Sequence, residues 1–327
     1  MTHKMVQWGI IGCGDVTEKK SGPAFNKIEN SKLVAVMRRN GMLAEDYAKR
    51  HGVPKWYDDA SLLINDPDVT AVYVATPPST HAKYAIEAMM AGKPVYVEKP
   101  MAASFDECQK MNQVSKETGI PLFVAYYRRT LPGFLLVKEL LDDGRIGIPL
   151  MANIRLTRAA LPQETDASNP SWRVDPAIAG GGIFYDLASH QLDFLDFIFG
   201  GIVDVNGIST NRAKLYDAED TVTASYAFHS GVIGSGTWCF VTDSSANEDL
   251  MEIIGSEGKI QFSGFGHQPI RLITKQGTLE FPYLNPENIQ YNLIKQAVES
   301  IRGKSQCVST GETAARANWA MEQIVRR

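Results

Sequence analysis

Asp186 and His190 lie four positions apart in "AGGGIFYDLASHQLDFL" (Ala179 to Leu195), a stretch that the spacing of its apolar residues predicts to be helical from Ile183 to about Phe199. At that separation both side chains can face one side of a helix and meet the same ligand. An imidazole accepts and returns a proton near neutrality, because its ordinary pKa is about 6.5. The competing reading is a plain capping or packing pair. A second candidate is "GIIGCGDVT", which sets Gly12, Gly14 and Thr17 in a GxGxxG frame directly after an apolar run. The first glycine permits a sharp turn and the second lets the backbone approach a pyrophosphate. The helix start at Asp15 and Val16 offers amide donors. Thr17 stands where the third glycine belongs and adds volume at a close helix–strand contact. The third candidate is the end of "LVAVMRRN", where Arg38 and Arg39 occupy the place of the usual carboxylate. A carboxylate there bonds the ribose hydroxyls of NAD, whereas a guanidinium pairs with a 2′-phosphate. The charge logic favours NADP(H) over NAD(H), the alternative being a merely solvated basic loop. Lys19 or Lys20 is a further candidate for that phosphate, the alternative being that Gly22 and Pro23 break the first helix and send both side chains into solvent.

These residues need elements to hold them. Through about residue 124 the chain alternates short apolar runs, "VQWGIIG", "KLVAVM", "AVYVATP", "KPVYVEKP" and "IPLFVAYY", with helical stretches such as "AEDYAKRHG" and "STHAKYAIEAMMAGK", the latter capped by Ser79 or Thr80 and closed at Gly92. Strands apolar on both faces and joined by helices predict a doubly wound parallel sheet. After residue 150, runs such as "DTVTASYAFHSGVIGSGTWCFV", "MEIIGSEGKIQFSG" and "PIRLITKQGTLEFPY" predict antiparallel hairpins. Helices are predicted at "GFLLVKELLDDG" and in the two closing segments. The fold class is therefore α/β plus α+β: a Rossmann dinucleotide-binding domain at 1–124, and at 125–327 a domain for substrate and oligomerisation carrying a large open, mostly antiparallel sheet.

With 327 residues the chain exceeds what one core comfortably serves. A formal net charge of -4 leaves no basic surplus for a nucleic-acid backbone. No apolar run approaches a membrane span, so a soluble, cytoplasmic protein is expected. The four cysteines are scattered without CxxC pairs, and no metal constellation is evident.

Three stretches in order behind the glycine turn, "VATPPSTHA", "GKPVYVEKP" and "AGGGIFYDLASHQLDFL", resemble the glucose-fructose oxidoreductase, inositol dehydrogenase and MocA family over nearly the whole chain. The resemblance implies a nicotinamide cofactor on the first domain and a sugar, cyclitol or related polyol held by the second. It assigns Lys99 of Glu-Lys-Pro as a catalytic or substrate-holding lysine, His190 as the proton-transfer residue and Asp186 as its companion. Thr76, Pro77 and Glu98 join Gly12, Gly14, Asp15, Val16, Arg38, Arg39 and Lys99 as expected cofactor contacts, with His81 near the nicotinamide. Pro78 replaces a frequent family Asn.

The set suits hydride transfer. Oxidising a secondary alcohol sends a hydride to the nicotinamide and a proton to a base, for which His190 serves, while the Lys99 ammonium stabilises the developing alkoxide. The two roles can be exchanged, since a desolvated lysine lowers its pKa. Pro100 fixes the backbone after Lys99, with a cis bond as one way to aim it. Asp186 orients His190 or binds a substrate hydroxyl. Tyr126, Arg129, Trp172 and Arg173 are expected to line the substrate cleft, aromatic and cationic groups suiting sugar faces and hydroxyls. The glycine triplet Gly180 to Gly182 is expected to bring backbone close to substrate. A homo-oligomer, a dimer first and otherwise a tetramer, is expected from the open sheet face. The competing classes are a noncatalytic dinucleotide or sugar sensor and a glycoside hydrolase using transient oxidation.

Overall fold

The computed structural model describes residues 5–166 and 168–325. The first sheet contains β1 (Val6–Ile11), β2 (Ser31–Met37), β3 (Lys55–Tyr57), β4 (Ala71–Val74), β5 (Val95–Val97) and β6 (Leu122–Val124). They lie in the order β3-β2-β1-β4-β5-β6, all neighbours parallel. That is the doubly wound order whose direction reverses between β1 and β4, and in such sheets ligands bind beyond the carboxyl ends of the strands at the reversal. Helices on both faces explain why β4, β5 and β6 are buried at every residue. Four rings form a row through this core, Trp8 to Phe25 at 4.9 Å, Phe25 to Tyr73 at 5.4 Å and Tyr73 to Tyr96 at 5.2 Å between centroids.

The second sheet contains β7 (Pro149–Thr157), β8 (Ile202–Thr210), β9 (Thr221–Phe228), β10 (Ile233–Cys239), β11 (Glu248–Gly255), β12 (Gly258–Phe262), β13 (Ile270–Thr274) and β14 (Gly277–Phe281). Its order is β14-β13-β12-β11-β7-β10-β9-β8, antiparallel except where β7 meets β10. The helix Gly182–Phe199 packs on one face: Phe184 meets Trp238 edge-on at 5.1 Å, and Phe194 meets Phe134 at 4.8 Å and Phe262 at 6.0 Å. Each fully buried large apolar side chain of this kind contributes roughly 1.5–3 kcal/mol. The opposite face leaves Met151, Ile208 and Ile233 exposed.

The chain divides differently from the expected boundary at residue 124. One compact unit runs through Arg129 and also takes in Pro286–Ala315, while the other holds Thr130–Asn285 and the chain from Arg316. The reason is apolar. The helix Tyr291–Ile301 carries Leu293, Ile294, Ala297 and Val298 at helical spacing, and all four are buried in the core built around Trp8, Tyr73 and Tyr96. Ser309 completes the attachment by donating its hydroxyl to the Val124 carbonyl at 2.7 Å and accepting the Val124 amide on its own carbonyl at 3.2 Å. In the other unit the returning chain is tied by Arg316, whose Nη2 donates to the buried Asp196 carboxylate at 2.6 Å.

Candidate active site

The residues singled out in the first unit follow the carboxyl ends of successive strands: Gly12 after β1, Arg38 and Arg39 after β2, Thr76 and Pro77 after β4, Glu98 and Lys99 after β5. Gly12 has φ +92, and a Cβ there would stand 2.7 Å from Thr76 Cγ2 and 2.9 Å from the Thr76 amide nitrogen. Both the backbone conformation and the close approach of the chain after β4 demand glycine. Gly14 is different. A Cβ there would meet only the Gly12 carbonyl oxygen at 3.9 Å, so the space before it is open. The helix Asp15–Lys19 follows at once; the Thr17 amide bonds back to the Gly14 carbonyl at 2.9 Å, which leaves the Asp15 and Val16 amides as the donors of the helix start. An open cradle rimmed by amide donors fits a pyrophosphate.

Thr17 does not spoil this turn. It is buried, its hydroxyl donates to the Gly14 carbonyl at 2.7 Å, and its own carbonyl accepts the Tyr47 hydroxyl at 2.9 Å. The close packing usually given to a third glycine falls instead on Gly22, where a Cβ would overlap the Thr17 carbonyl and the Tyr47 hydroxyl. The helix does break after Lys19, leaving Lys19 and Lys20 exposed, and a new one begins at Gly22.

Arg38 and Arg39 are exposed, and among the described residues neither side chain has an ion pair or hydrogen bond. Burial pushes the thiol of Cys13, in the middle of the glycine turn, up to about 11, and the leading charge opposing that rise is Arg38. Asn40 caps the helix Gly41–His51 by accepting the Leu43 amide at 3.3 Å.

Glu98 is buried. Its Oε1 accepts the Tyr73 hydroxyl at 2.5 Å and the Gln290 side-chain amide at 2.6 Å, and its Oε2 accepts the backbone amide of Lys99 at 3.3 Å. It thus reads as the anchor of the Lys99 backbone. Lys99 itself is half-buried, and the Lys99–Pro100 peptide is cis. Thr76 is partly exposed and its hydroxyl accepts from Thr80 at 2.8 Å, so the helix His81–Met90 begins after a threonine whose hydroxyl turns back to the strand rather than capping.

Two expected contacts, His81 and Arg129, have structural duties, and a third, Tyr126, is buried. His81 is fully buried, its ring nitrogens 2.7 Å from the Thr76 carbonyl and 3.0 Å from the Pro100 carbonyl. It staples the chain after β4 to the chain after β5, and burial above all lowers its pKa. Tyr126 is 0% exposed and lies within the apolar interior. Arg129, 2% exposed, donates from Nη1 to the Val308 carbonyl at 2.6 Å and to Thr313 Oγ1 at 2.9 Å. A planar cation with five donors suits that clasp on the returning segment. Neither residue is presented for a sugar to touch.

In the second unit the structure brings Trp172, Arg173 and Asp186 together. Ser171 accepts the Arg173 amide at 3.4 Å and opens a short 3-10 turn, Trp172–Val174. The Arg173 guanidinium lies 4.4 Å from the centroid of the Trp172 ring, and its Nε is 3.4 Å from Asp186 Oδ2. Arg173 keeps 44% of its side chain exposed, so the group is reachable. One turn along the helix from Asp186, His190 is 3% exposed and meets the edge of Phe265, ring centroids 6.3 Å apart at 73°. Packing demands glycine at two places of the triplet: a Cβ on Gly181 would overlap the Tyr185 ring, and one on Gly182, at φ +65, would overlap Ala218 Cβ. Phe265 and the neighbouring Gln191, which accepts the Trp238 indole N–H at 2.8 Å, were not legible as site residues. "FSGFGHQP" reads as a loop, and nothing local says what its phenylalanine touches. Among the described residues no cluster of His, Cys, Asp and Glu could hold a metal ion, and no helix is long and apolar enough to cross a membrane.

Comparison with known proteins follows the same division of the chain. Residues 6–126 match the family model described as "Oxidoreductase family, NAD-binding Rossmann fold", and residues 134–261 match the "GFO/IDH/MocA C-terminal domain". An oxidoreductase of Formosa agariphila, "Oxidoreductase P35", is 40% identical over 294 residues, covering 90% of this chain and 90% of its own. The 1,5-anhydro-D-fructose reductase of Ensifer adhaerens is 28% identical over 314 residues, covering 94% and 92%. A solved levoglucosan dehydrogenase in complex with NADH superposes with a TM-score of 0.89 at 23% identity, over 98% of this chain and 96% of that one, a likeness of fold.

Proposed function

The chain belongs to the GFO/IDH/MocA oxidoreductase family, and from that premise we propose that it is an NADP(H)-dependent dehydrogenase or reductase of a sugar, cyclitol or polyol. The observation that carries the cofactor half is the open cradle at Gly14 with two solvent-facing guanidiniums, Arg38 and Arg39, after β2. A 2′-phosphate pairs with guanidinium groups through charge-assisted hydrogen bonds, each worth about 1.5–3 kcal/mol. The amides at Asp15 and Val16 take the pyrophosphate, and Thr76, Pro77 and Glu98 support the chain around the dinucleotide. When bound, the nicotinamide supplies the acceptor or donor of a hydride.

This chain's own residues supply the rest. The imidazole of His190 takes the hydroxyl proton as the carbon–hydrogen bond breaks, or returns it to the oxygen during reduction. The Lys99 ammonium stabilises the negative charge that develops on that oxygen. Asp186 and Arg173, paired with each other, accept from and donate to neighbouring hydroxyls, and Trp172 offers an aromatic face to the C–H side of a sugar ring. The relatives' names, which include a reductase of 1,5-anhydro-D-fructose and a dehydrogenase of levoglucosan, support a polyhydroxylated substrate. The exposed Met151, Ile208 and Ile233 on the sheet support self-association.

The test is a fluorescence titration with NADPH and NADH, followed by an absorbance screen of levoglucosan, myo-inositol and 1,5-anhydro-D-fructose with the tighter cofactor. Loss of one charge-assisted pair corresponds to roughly tenfold or more in affinity. NADPH is expected to bind at least about tenfold more tightly than NADH, and Arg38→Ala with Arg39→Ala to erase that margin. Equal or tighter binding of NADH, unchanged in the double variant, overturns the cofactor assignment.

A further inference from the structure

The loop that follows β12 is wound around a single carboxylate. Asp249, the second residue of β11, accepts from the Ser263 hydroxyl, from the Gly264 amide at 2.9 Å, from the Phe265 amide at 2.7 Å and from the Gly266 amide at 2.9 Å. Ser263 Oγ in turn accepts the Gly266 amide at 2.6 Å and the Phe265 amide at 3.3 Å. Successive backbone N–H groups converging on one anion form a nest, a rigid arrangement because every donor is satisfied by the same charge. The loop cannot slide past the helix beneath it. A Cβ on Gly264 would stand 2.9 Å from Gln191 Nε2 and 3.2 Å from Asp249 Oδ1, and the Tyr283 hydroxyl holds the Gly266 carbonyl at 3.3 Å. Gln191 is itself fixed by the Trp238 indole at 2.8 Å. What the nest carries is Phe265, whose ring stands edge-on to His190 at 6.3 Å.

The geometry points to Asp249 as a positioning residue that holds the Phe265 ring against His190 and thereby fixes and shields the imidazole. The inference rests on His190 being the proton-transfer group of the proposed reaction. A catalytic side chain needs a neighbour that locks its rotamer and limits water around it. Phe265 touches the ring, and Asp249 acts only through Phe265, by setting where residues 263–266 run. Neither residue belongs to the motifs that mark the family resemblance.

The test reads the shielding directly and needs no substrate. Carbethoxylation of individual histidines by diethyl pyrocarbonate is followed by peptide mass spectrometry in wild type, Asp249→Asn, Phe265→Leu and Phe265→Tyr. His190 modification should accelerate about tenfold in the first two variants, as local opening of the loop exposes the ring. It should stay at the wild-type rate in Phe265→Tyr, which keeps the aromatic edge. His81, buried in the other unit, and the exposed His229, away from this loop in the chain, serve as internal controls and should not change. Turnover, assayed on the same panel of sugars, should drop about tenfold in kcat in Asp249→Asn and Phe265→Leu with the KM for dinucleotide unchanged, because only the reacting group is disturbed. Unchanged His190 modification in Phe265→Leu, or acceleration shared equally by His81, overturns the inference. Full turnover in His190→Ala would instead overturn the acid–base assignment on which it rests, and leaves the modification rates to decide the positioning on their own.

Discussion

Replacing Glu98 is expected to loosen the chain at Lys99 and to weaken the first unit by an amount that its contacts fix. The carboxylate is 6% exposed and accepts from the Tyr73 hydroxyl at 2.5 Å and the Gln290 amide at 2.6 Å, with the Lys99 amide at 3.3 Å on its other oxygen. Hydrogen bonds to a charged acceptor contribute about 1.5–3 kcal/mol each, roughly twice their neutral counterparts. Glu98→Gln keeps the shape and halves two such bonds, a loss of about 2 kcal/mol. It also places an amide donor opposite the Lys99 N–H, so the backbone that carries the lysine must shift. Glu98→Leu removes the acceptor altogether. Tyr73 can still turn to Ser21 Oγ, 3.0 Å away, but Gln290 Nε2 is left without an acceptor, and the loss rises to about 4 kcal/mol. Urea unfolding followed by tryptophan fluorescence gives the midpoint and slope; the slope should stay constant while the midpoint falls in the order wild type, Gln, Leu. Turnover should fall in Glu98→Gln even where the protein remains folded. Both variants unfolding within about 0.5 kcal/mol of wild type would refute the anchoring role, since surface substitutions change stability by no more than that.

Two further outcomes follow from the same reasoning. Gly22→Ala forces a methyl group into the Thr17 carbonyl and the Tyr47 hydroxyl, and because the first of these is backbone the glycine turn must move; NADPH affinity, read by fluorescence titration, should fall at least about tenfold, and unchanged affinity would refute the coupling. Glu18 is held near a pKa of about 2 chiefly by its hydrogen bond from Arg50, then by His51. A carboxyl depressed in the folded state contributes stability above its unfolded value of about 4.5 and loses it as pH falls towards about 2. One third of that side chain is exposed, so solvent screening reduces the contribution to about 1 kcal/mol. Glu18→Gln should therefore lower the melting temperature at pH 7 and leave it unaltered near pH 2, as read by calorimetry.

Much of the first unit was legible because its signals are local. A glycine that must adopt positive φ, an apolar strand before it and a basic pair two strands' length later all sit within one stretch of chain, and the structure sets Gly12, Arg38, Thr76 and Lys99 beyond successive strand ends. The second sheet was legible as hairpins, since the turns at Gly231 and Gly277 have positive φ as their sequences imply. What escaped was decided by partners far away in the chain. The helix Tyr291–Ile301 shows an apolar stripe, but nothing in it says that the stripe belongs to Tyr96 and Trp8 rather than to the nearer sheet. Arg129 looks like a sugar ligand until Val308 and Thr313 take its donors. Pro149–Thr157 alternates only loosely, and its place between β10 and β11, parallel to one and antiparallel to the other, is a tertiary fact. Nothing in the sequence around Asp249 says that the amides of Phe265 and Gly266 close on it.

The proposed roles of Lys99 and His190 are tested by hydride transfer in Lys99→Ala and His190→Ala under saturating dinucleotide. His190→Ala should bind NADPH as the wild type does and Lys99→Ala should keep most of that affinity, while both lose turnover by about a hundredfold or more, the loss expected on removing a proton-transfer group or a stabilising charge. Wild-type turnover in both variants would refute both roles.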